Sequence, residues 1–319
     1  MNKYIVIGAV VVAVVIISVA FVYVYYQGQI ASKIESLHNL VDDHGDKTSM
    51  DAYPNRIISL APSTTEILFA LGLDDKVVAV TDYDNYPYNF TAWIEAGNMT
   101  SVGAFDKPNM EVIATLEPDL ILASGGVQEE SVGTLRELGY KVLVLDPTNI
   151  TGVLNDIELV GKATDKNAEA TALVNDLNNR IETVVNKVAS ATSKPKVYYE
   201  VWYDPTSLWT AGSKAFQNEI IQKAGGVNIF ADTNIDYFQS SAEAVIERNP
   251  DIILLPTQMG GPPFWGSIDD VKARPGWDSI NAMKNDKLLI VDGDAIARGG
   301  PRVVDVIETL AAYFHPEVF

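Results

Sequence analysis

The sequence predicts an α/β protein with two Rossmann-like lobes, each built on a parallel sheet, joined by one long helix and preceded by a transmembrane helix. Three observations support this fold class. A 14-residue pattern occurs twice, at Asn109–Leu122 and Ser241–Leu254. One apolar helical face continues from about Thr164 to Val188, and an uncharged apolar run covers Tyr4–Tyr26.

The repeated pattern indicates a helix that leads into a buried strand. Aligned without a gap, NMEVIATLEPDLIL and SAEAVIERNPDIIL share a glutamate, a Pro-Asp pair and the Ile-Leu that ends each copy. Apolar residues at helical spacing, a proline that stops the helix and a short apolar run are typical of a helix and a parallel strand. Glu111 and Glu243 then open equivalent helices, where they either complement the helix dipole or meet a two-fold partner.

The apolar run at Tyr4–Tyr26 predicts a membrane anchor. Its roughly 23 residues give a helix of about 34 Å, enough to cross a bilayer. Lys3 precedes the run and tyrosines end it, which places the N-terminus in the cytoplasm and the bulk of the chain outside the cell. A cleaved signal peptide is the alternative, but the run is long and no clean cleavage site follows. We expect a single-pass anchor at residues 1–27.

Composition restricts the function. The chain has 319 residues, 47% of them hydrophobic, and a formal net charge of -19, which argues against nucleic acid and anionic lipid as partners. It contains no cysteine, so disulfides and a lipid-modified cysteine are excluded. Sequons at Asn89, Asn98 and Asn149 give weak support for an exported domain.

Along the chain, residues 28–54 read as a helical stalk that frays into a solvated linker. Residues 55–150 alternate strands and helices and form the N-terminal lobe, with Gly72 and Gly139 ending two helices. Residues 151–190 contain no strand signal and form the connecting helices, whose length predicts a stiff hinge. Residues 191–319 repeat the first lobe, beginning with a strand at Val197–Tyr203.

Catalytic chemistry is hard to assemble from this chain. No cysteine nucleophile exists, His38 and His44 lie in the linker, and His315 is close to the C-terminus, so a serine hydrolase lacks a base. One sequence pattern could bind a metal ion, and it resembles a calcium-binding loop.

That calcium loop would take positions 1, 3, 5 and 12 from Asp232, Asn234, Asp236 and Glu243, but Tyr237 occupies the position that requires glycine. We expect no enzyme, no metal site and no cofactor.

Large side chains cluster in loops that follow strands, where α/β folds bind ligands. A cleft lined with rings suits a large, flat, partly apolar molecule. The candidates are Tyr83, Tyr86, Phe105, Trp202, Tyr203, Trp209, Tyr237, Phe264, Trp265, Arg298 and Arg302.

Five segments in order resemble a known family: RIISLAPSTTEILFALGLDDKVVAVTDYDNYP, NMEVIATLEPDLIL, SLWTAGSKAFQNEIIQKAGGVNIF, SAEAVIERNPDIIL and ARGGPRVVDVIETL. They are similar to the periplasmic-binding-protein family of ABC importers for cobalamin, ferric siderophores and haem, and most similar to its cobalamin-binding members. The resemblance covers about residues 56–319. It implies a small-molecule ligand and a dimeric permease with separate ATPase subunits.

The resemblance also implies roles for single residues. Glu111 and Glu243 match the glutamates that dock onto arginines of the permease. Phe105 and Tyr237 stand where the family pattern has tryptophan, so the exact ligand stays open. The implied cleft residues are Tyr83, Phe105, Trp209, Tyr237 and Arg298, to which we add Trp202 from its position at a strand end.

We therefore expect an extracellular solute-binding protein that captures cobalamin or another corrinoid. The alternative ligand is a ferric siderophore or haem, whose acidic groups would pair with Arg298 and Arg302. An alternative of another class is a membrane-anchored sensor or adhesion ectodomain with the same fold.

Overall fold

The computed structural model describes residues 16–27, 37, 39–204, 207–257 and 263–319. Residues 16–27 are helical and exposed, whereas the first part of the predicted span at Tyr4–Tyr26 lies outside the described residues. Within the described ranges, no helix combines the length and the apolar character needed to cross a membrane.

A short antiparallel hairpin precedes the first lobe and consists of β1 (Leu40–Val41) and β2 (Lys47–Thr48). The carboxylate of Asp42, only 5% exposed, accepts hydrogen bonds from Arg136 at 2.6 Å and from the backbone N–H of Val144 at 3.1 Å. The expectation of a solvated linker up to residue 54 is corrected here, because the chain from residue 39 onward packs on the lobe.

The N-terminal lobe contains a five-stranded parallel sheet in the order β5-β4-β3-β6-β7, as predicted. Ile57 and Ile58 are both fully buried but belong to different apolar clusters, so both faces of the sheet are covered. The strands are β3 (Ile57–Ser59), β4 (Val77–Val80), β5 (Thr100–Ser101), β6 (Leu120–Ala123) and β7 (Val142–Val144).

Helices flank this sheet on both faces. Gly72 and Gly139 have positive φ angles of 67° and 89° and follow the ends of two helices, which confirms them as helix stops. The helices are α1 (Pro62–Ala70), α2 (Phe90–Glu95), α3 (Met110–Leu116) and α4 (Glu129–Glu137).

Two helices connect the lobes, α5 (Ile150–Ala163) and α6 (Asn167–Val188). The predicted long helix is confirmed, and its 22 residues extend about 33 Å. One cluster of buried apolar side chains includes Ile157 of α5, Leu177 of α6 and residues of both lobes. The lobes therefore share a core through the connecting helices.

The C-terminal lobe contains a mixed sheet in the order β11-β9-β8-β12-β13, with β10 also paired to β8. Only β8, β10, β12 and β13 are parallel, because β9 and β11 extend the sheet as antiparallel strands. The prediction of a purely parallel second sheet is wrong in this respect. The strands are β8 (Lys196–Asp204), β9 (Ser207–Ala211), β10 (Val227–Asn228), β11 (Tyr237–Ser240), β12 (Ile252–Pro256) and β13 (Leu288–Val291).

The helices of this lobe include the predicted one before Gly225 and a last helix after Pro301. Gly225, with a φ angle of 84°, follows the first of them. They are α7 (Phe216–Lys223), α8 (Ala242–Arg248), α9 (Ile268–Lys272), α10 (Asn281–Lys284), α11 (Gly293–Ala297) and α12 (Val303–Phe314).

The internal repeat is confirmed in detail, because α3–β6 and α8–β12 occupy equivalent places. Both helices end at a non-glycine residue with a left-handed backbone, Glu117 at φ 45° and Asn249 at φ 47°. The two repeated aspartates also make the same contact, because each accepts a backbone N–H at the start of the neighbouring strand. Asp119 accepts a hydrogen bond from the backbone N–H of Arg56 at 3.0 Å, just before β3. Asp251 accepts one from the backbone N–H of Lys196 at 2.9 Å, at the start of β8.

Candidate functional site

A cavity of about 340 Å³ lies between the two lobes. Its N-terminal wall comes from the loops that follow the five strands β3 to β7, and its other wall comes from the end of α11 and the residues after it. The carboxyl ends of parallel strands are the usual ligand site of an α/β sheet. The lining residues are Ala61, Pro62, Ser63, Tyr83, Phe105, Ser124, Leu145, Asp146, Pro147, Ala297, Arg298 and Gly299.

The cavity brings together three of the six predicted ligand residues, Tyr83, Phe105 and Arg298. Tyr83 is 46% exposed and Phe105 is half-buried, so both rings are accessible from the cleft. The side-chain amide of Gln128 holds the loop of Phe105 by donating a hydrogen bond to the Phe105 carbonyl at 2.7 Å. Two aromatic rings thus stand on the wall of the N-terminal lobe.

Arg298 is engaged within the protein. Its guanidinium forms an ion pair with Asp294 at 3.0 Å and donates hydrogen bonds to the side chain of Asn85 at 2.8 Å and the carbonyl of Tyr83 at 3.3 Å. Only 14% of its side chain is exposed. Its charge is therefore largely compensated before any ligand arrives.

The other three predicted ligand residues form a surface outside the cavity. Trp202 and Trp209 are directly opposite each other on β8 and β9, and Tyr237 of β11 lies on the same face. Each of the three side chains is about 40% exposed. The ring of Phe264 packs against Trp202 with centroids 3.7 Å apart. We call these four side chains the aromatic face.

Tyr237 connects this face to the cavity. Its hydroxyl bonds to the side-chain oxygen of Gln217 at 2.8 Å, and the Gln217 amide donates to the backbone carbonyl of Ile296 at 3.2 Å. Ile296 immediately precedes Ala297, which lines the cavity. Two hydrogen bonds thus fix the Tyr237 ring relative to the cleft wall.

Glu111 and Glu243 both lie in the first turn of their helices, α3 and α8, and both are exposed. The N-caps are Asn109 and Ser241, whose side chains accept the backbone N–H groups of the first turn. Hydrogen bonds from its own backbone N–H and from Ser241 lower the pKa of Glu243. Asn109 and Ser241 are the N-caps of the two helices, and both glutamates remain exposed.

A buried carboxyl group lies behind the cleft wall. Asp156 of α5 is 1% exposed, and its Oδ2 atom has no hydrogen-bond partner. Burial, followed by the charges of Asp43 and Asp146, raises the pKa of Asp156 to about 9. Asp43 accepts a hydrogen bond from the backbone N–H of Asp146 at 2.7 Å, and His44 lies 3.4 Å from the Asp146 carboxylate. Asp156 is therefore protonated at neutral pH.

Sequence reasoning missed Asp146, Gln217 and Glu66. Asp146 lies two residues after the end of β7, so its position near a strand's carboxyl end was an available signal. The other two are polar residues inside apolar helices, which sequence patterns do not distinguish from solvated positions. Among the described residues, no group of three acidic or histidine side chains could hold a metal ion.

Comparison with known proteins decides the family. The family model described as periplasmic binding protein matches residues 57–295 of this chain. The chain belongs to the periplasmic binding protein family. Its match to this family covers both lobes and the connecting helices.

Two relatives of this family cover most of the chain. An uncharacterised ABC transporter substrate-binding lipoprotein of Bacillus subtilis is 32% identical over 299 residues, which cover 90% of this chain and 88% of the relative. A vitamin B12-binding protein of Photorhabdus laumondii is 30% identical over 263 residues, covering 82% of this chain and 88% of the relative.

Solved structures of the periplasmic binding protein family give the same result. A possible iron-binding (periplasmic solute-binding) protein of Staphylococcus epidermidis is 31% identical with a TM-score of 0.70, covering 82% of this chain and 99% of that one. The periplasmic vitamin B12-binding protein of Vibrio cholerae is 28% identical with a TM-score of 0.66, covering 82% and 96%.

Proposed function

We propose that this protein is the solute-binding component of an ABC importer and that it captures cobalamin or another corrinoid between its lobes. The ligand would enter the cavity and extend onto the aromatic face. No bond is made or broken in this role. Membership of the family and the similarity to vitamin B12-binding proteins support the proposal.

The observation that carries the choice of ligand is the charge balance of the cleft. The charged residues among its described lining are Asp146 and Arg298, and the arginine is already paired with Asp294. The second arginine considered, Arg302, pairs with Glu66 at 2.6 Å and Asp292 at 3.0 Å. An anionic ferric chelate or haem propionate would have to displace these carboxylates, whereas a corrinoid ring can use the aromatic side chains.

A titration of tryptophan fluorescence tests this choice. The soluble fragment should begin at residue 28, so that the β1–β2 hairpin is kept. We expect saturable quenching by cyanocobalamin, corrected for its absorbance, because Trp202 and Trp209 are 39% exposed on the aromatic face. Saturation only with a ferric siderophore or haemin would assign the iron ligand of the alternative, for which the Staphylococcus epidermidis relative is the precedent.

Ring-removal variants locate the ligand. Alanine at Tyr83 or Phe105 should weaken binding of the corrinoid by about 1–3 kcal/mol, since each removes an accessible ring from the cleft wall. Alanine at Tyr140, a partly buried ring outside the cavity lining, is the matched control and should leave affinity unchanged.

Delivery to the permease would use Glu111 and Glu243. They are exposed, occupy equivalent positions of the internal repeat, and carry the same charge, which suits a dimeric permease with two equivalent basic sites. The N-caps of both helices are other residues, Asn109 and Ser241, although the Glu243 carboxylate also accepts its own backbone N–H.

Charge reversal separates this proposal from a sensor or adhesion role. The double variant Glu111→Lys/Glu243→Lys should abolish uptake in cells while binding of the corrinoid stays intact. The control Glu137→Lys/Glu247→Lys makes the same charge change at exposed helical positions, one on each lobe. Uptake that survives the first double variant would contradict docking through these glutamates.

We also propose that the run Tyr4–Tyr26 anchors the protein as a single membrane span, with the lobes outside the cell. The Bacillus subtilis relative is a lipoprotein, but this sequence has no cysteine to modify. Removing residues 1–27 should release the protein from the membrane fraction and leave binding of the corrinoid unchanged.

A further inference from the structure

One short segment of the C-terminal lobe, Arg298–Arg302, makes several polar contacts that join the lobes at the cleft. Arg302 donates two hydrogen bonds to Glu66 of α1, from Nε at 3.0 Å and from Nη2 at 2.6 Å. Glu66 is 3% exposed although it carries a carboxylate. Burial raises the pKa of Glu66, and the neighbouring Arg302 acts in the opposite direction.

The segment Arg298–Arg302 also contacts the loop after β4. The Arg302 guanidinium lies over the ring of Tyr86 at 4.4 Å, and Arg298 donates to the side chain of Asn85 at 2.8 Å. Asn85 in turn donates to Asp294 at 2.6 Å. Two arginines of one lobe are thus held by two separate elements of the other.

The glycines between these arginines allow the lobes to touch. A Cβ atom on Gly299 would lie 2.5 Å from the Pro147 side chain, and one on Gly300 would lie 2.8 Å from Glu66 Oε2. Both separations are well below van der Waals contact, and both neighbours belong to the N-terminal lobe side of the cleft. These positions need glycine because of close approach, not because of a left-handed backbone.

The contacts between the lobes lie at the edge of the ligand cavity, so they can affect ligand binding. Arg298, Gly299 and Pro147 line the ligand cavity. Arg302 and Glu66 line a second cavity of about 220 Å³ on the far side of the ion pair, next to Leu177 of the connecting helix. The segment therefore stands between the cleft and the helix about which the lobes would turn.

We propose that Arg298–Arg302 is an interlobe latch that sets the width of the ligand cleft, with Glu66 and Arg302 as positioning residues for ligand binding. A bidentate arginine–carboxylate pair fixes orientation as well as distance. The close glycine contacts set a minimum separation, and the ion pair holds the lobes at that separation. The link to affinity rests on the proposed function, whereas the link to lobe separation does not.

The first experiment measures the distance between the lobes directly. Because the chain has no cysteine, Val127→Cys/Ile235→Cys can carry one spin label on each lobe, at side chains that are 64% and 45% exposed. Pulsed electron resonance then gives the distance distribution in the full-length protein without ligand. Arg302→Gln should broaden this distribution and shift its mean, and Arg302→Lys should restore part of it.

A second variant tests the same idea without removing a charge. Gly299→Ala leaves the ion pair in place and forces the Pro147 contact apart, so it should shift the distribution as well. Arg248→Gln is the matched control, because its pair with Asp232 at 2.9 Å lies within the C-terminal lobe. Distributions unchanged in both latch variants would overturn the latch.

The ligand measurement follows on the same variants. If the binding-competent separation falls to about a tenth of the population, the apparent dissociation constant for cyanocobalamin rises about tenfold. We expect that loss in Arg302→Gln and wild-type affinity in Arg248→Gln. Wild-type protein that binds no corrinoid would refute the proposed function, and the distance distributions would still decide the latch.

Discussion

Replacing Asp156 with asparagine should stabilise the protein, and the gain should grow with pH. Asp156 is buried in α5 beside Asp43 and Asp146, and its pKa of about 9 compares with 3.8 for an ordinary aspartate. The folded protein therefore holds this proton more tightly than the unfolded chain. Linkage then lowers the stability of the wild type as pH rises from about 4 to about 9.

The magnitude follows from the two pKa values. One pKa unit corresponds to about 1.4 kcal/mol, so by pH 7 the group has cost up to about 4 kcal/mol relative to strongly acidic solution. Asparagine is neutral at every pH and keeps a donor and an acceptor at this position. The stability difference between Asp156→Asn and the wild type should rise by about 1.4 kcal/mol per pH unit between pH 5 and pH 8, then level off above pH 9.

Urea denaturation of both proteins across this range provides the measurement. Other titrating groups cancel in the difference, and Asp75→Asn, at an exposed aspartate, controls for the loss of one negative charge. A difference that stays constant from pH 5 to pH 9 would refute the protonated state of Asp156.

Three further predictions rest on single contacts. Arg274→Met should lower the free energy of unfolding by about 3–5 kcal/mol, because it leaves the 1%-exposed carboxylate of Glu200 buried without its cation; urea denaturation measures the loss, which Arg274→Met/Glu200→Gln should partly recover. Tyr237→Phe removes the hydrogen bond to the buried side chain of Gln217 and should lower the free energy of unfolding by about 0.5–1.5 kcal/mol in urea denaturation; it should also weaken corrinoid binding in the fluorescence titration, because the ring is no longer held in place. Gly293→Ala should destabilise the protein in thermal denaturation, because its Cβ would overlap a backbone carbonyl oxygen, and the control Gly133→Ala, at an exposed glycine with open space around its Cβ position, should not.

The parts of the fold that sequence predicted are those with a periodic or repeated signal. The helix and strand of each repeat, the long connecting helix and the glycine stops all appear as expected. The β1–β2 hairpin was missed because strands of two residues have no periodicity, and its Asp42 reads as a solvated charge until its partner Arg136 is known. Long-range partners of this kind are set by tertiary structure.

The second sheet shows a different limit of sequence reasoning. The sequence places Trp202 and Trp209 in loops that bind ligands, whereas Trp209 lies within the strand β9 (Ser207–Ala211), which pairs with both β8 and β11. Aromatic residues favour both strands and binding loops, so composition did not separate the two. The structure consequently divides the predicted ligand residues between a cavity and the aromatic face.

The antiparallel hairpin at the start of the lobe changes how far the protein can travel. Because Leu37 is already buried in the core, only the nine residues 28–36 separate the helical residues 16–27 from the folded body. Even at full extension such a segment covers no more than about 35 Å, against roughly 95 Å for a tether that lasted to residue 54. With the proposed anchor, the lobes would be confined to a thin layer next to the bilayer. Encounter with a permease in the same membrane would then take place by lateral diffusion within that thin layer, where the local concentration of the protein is higher than in free solution.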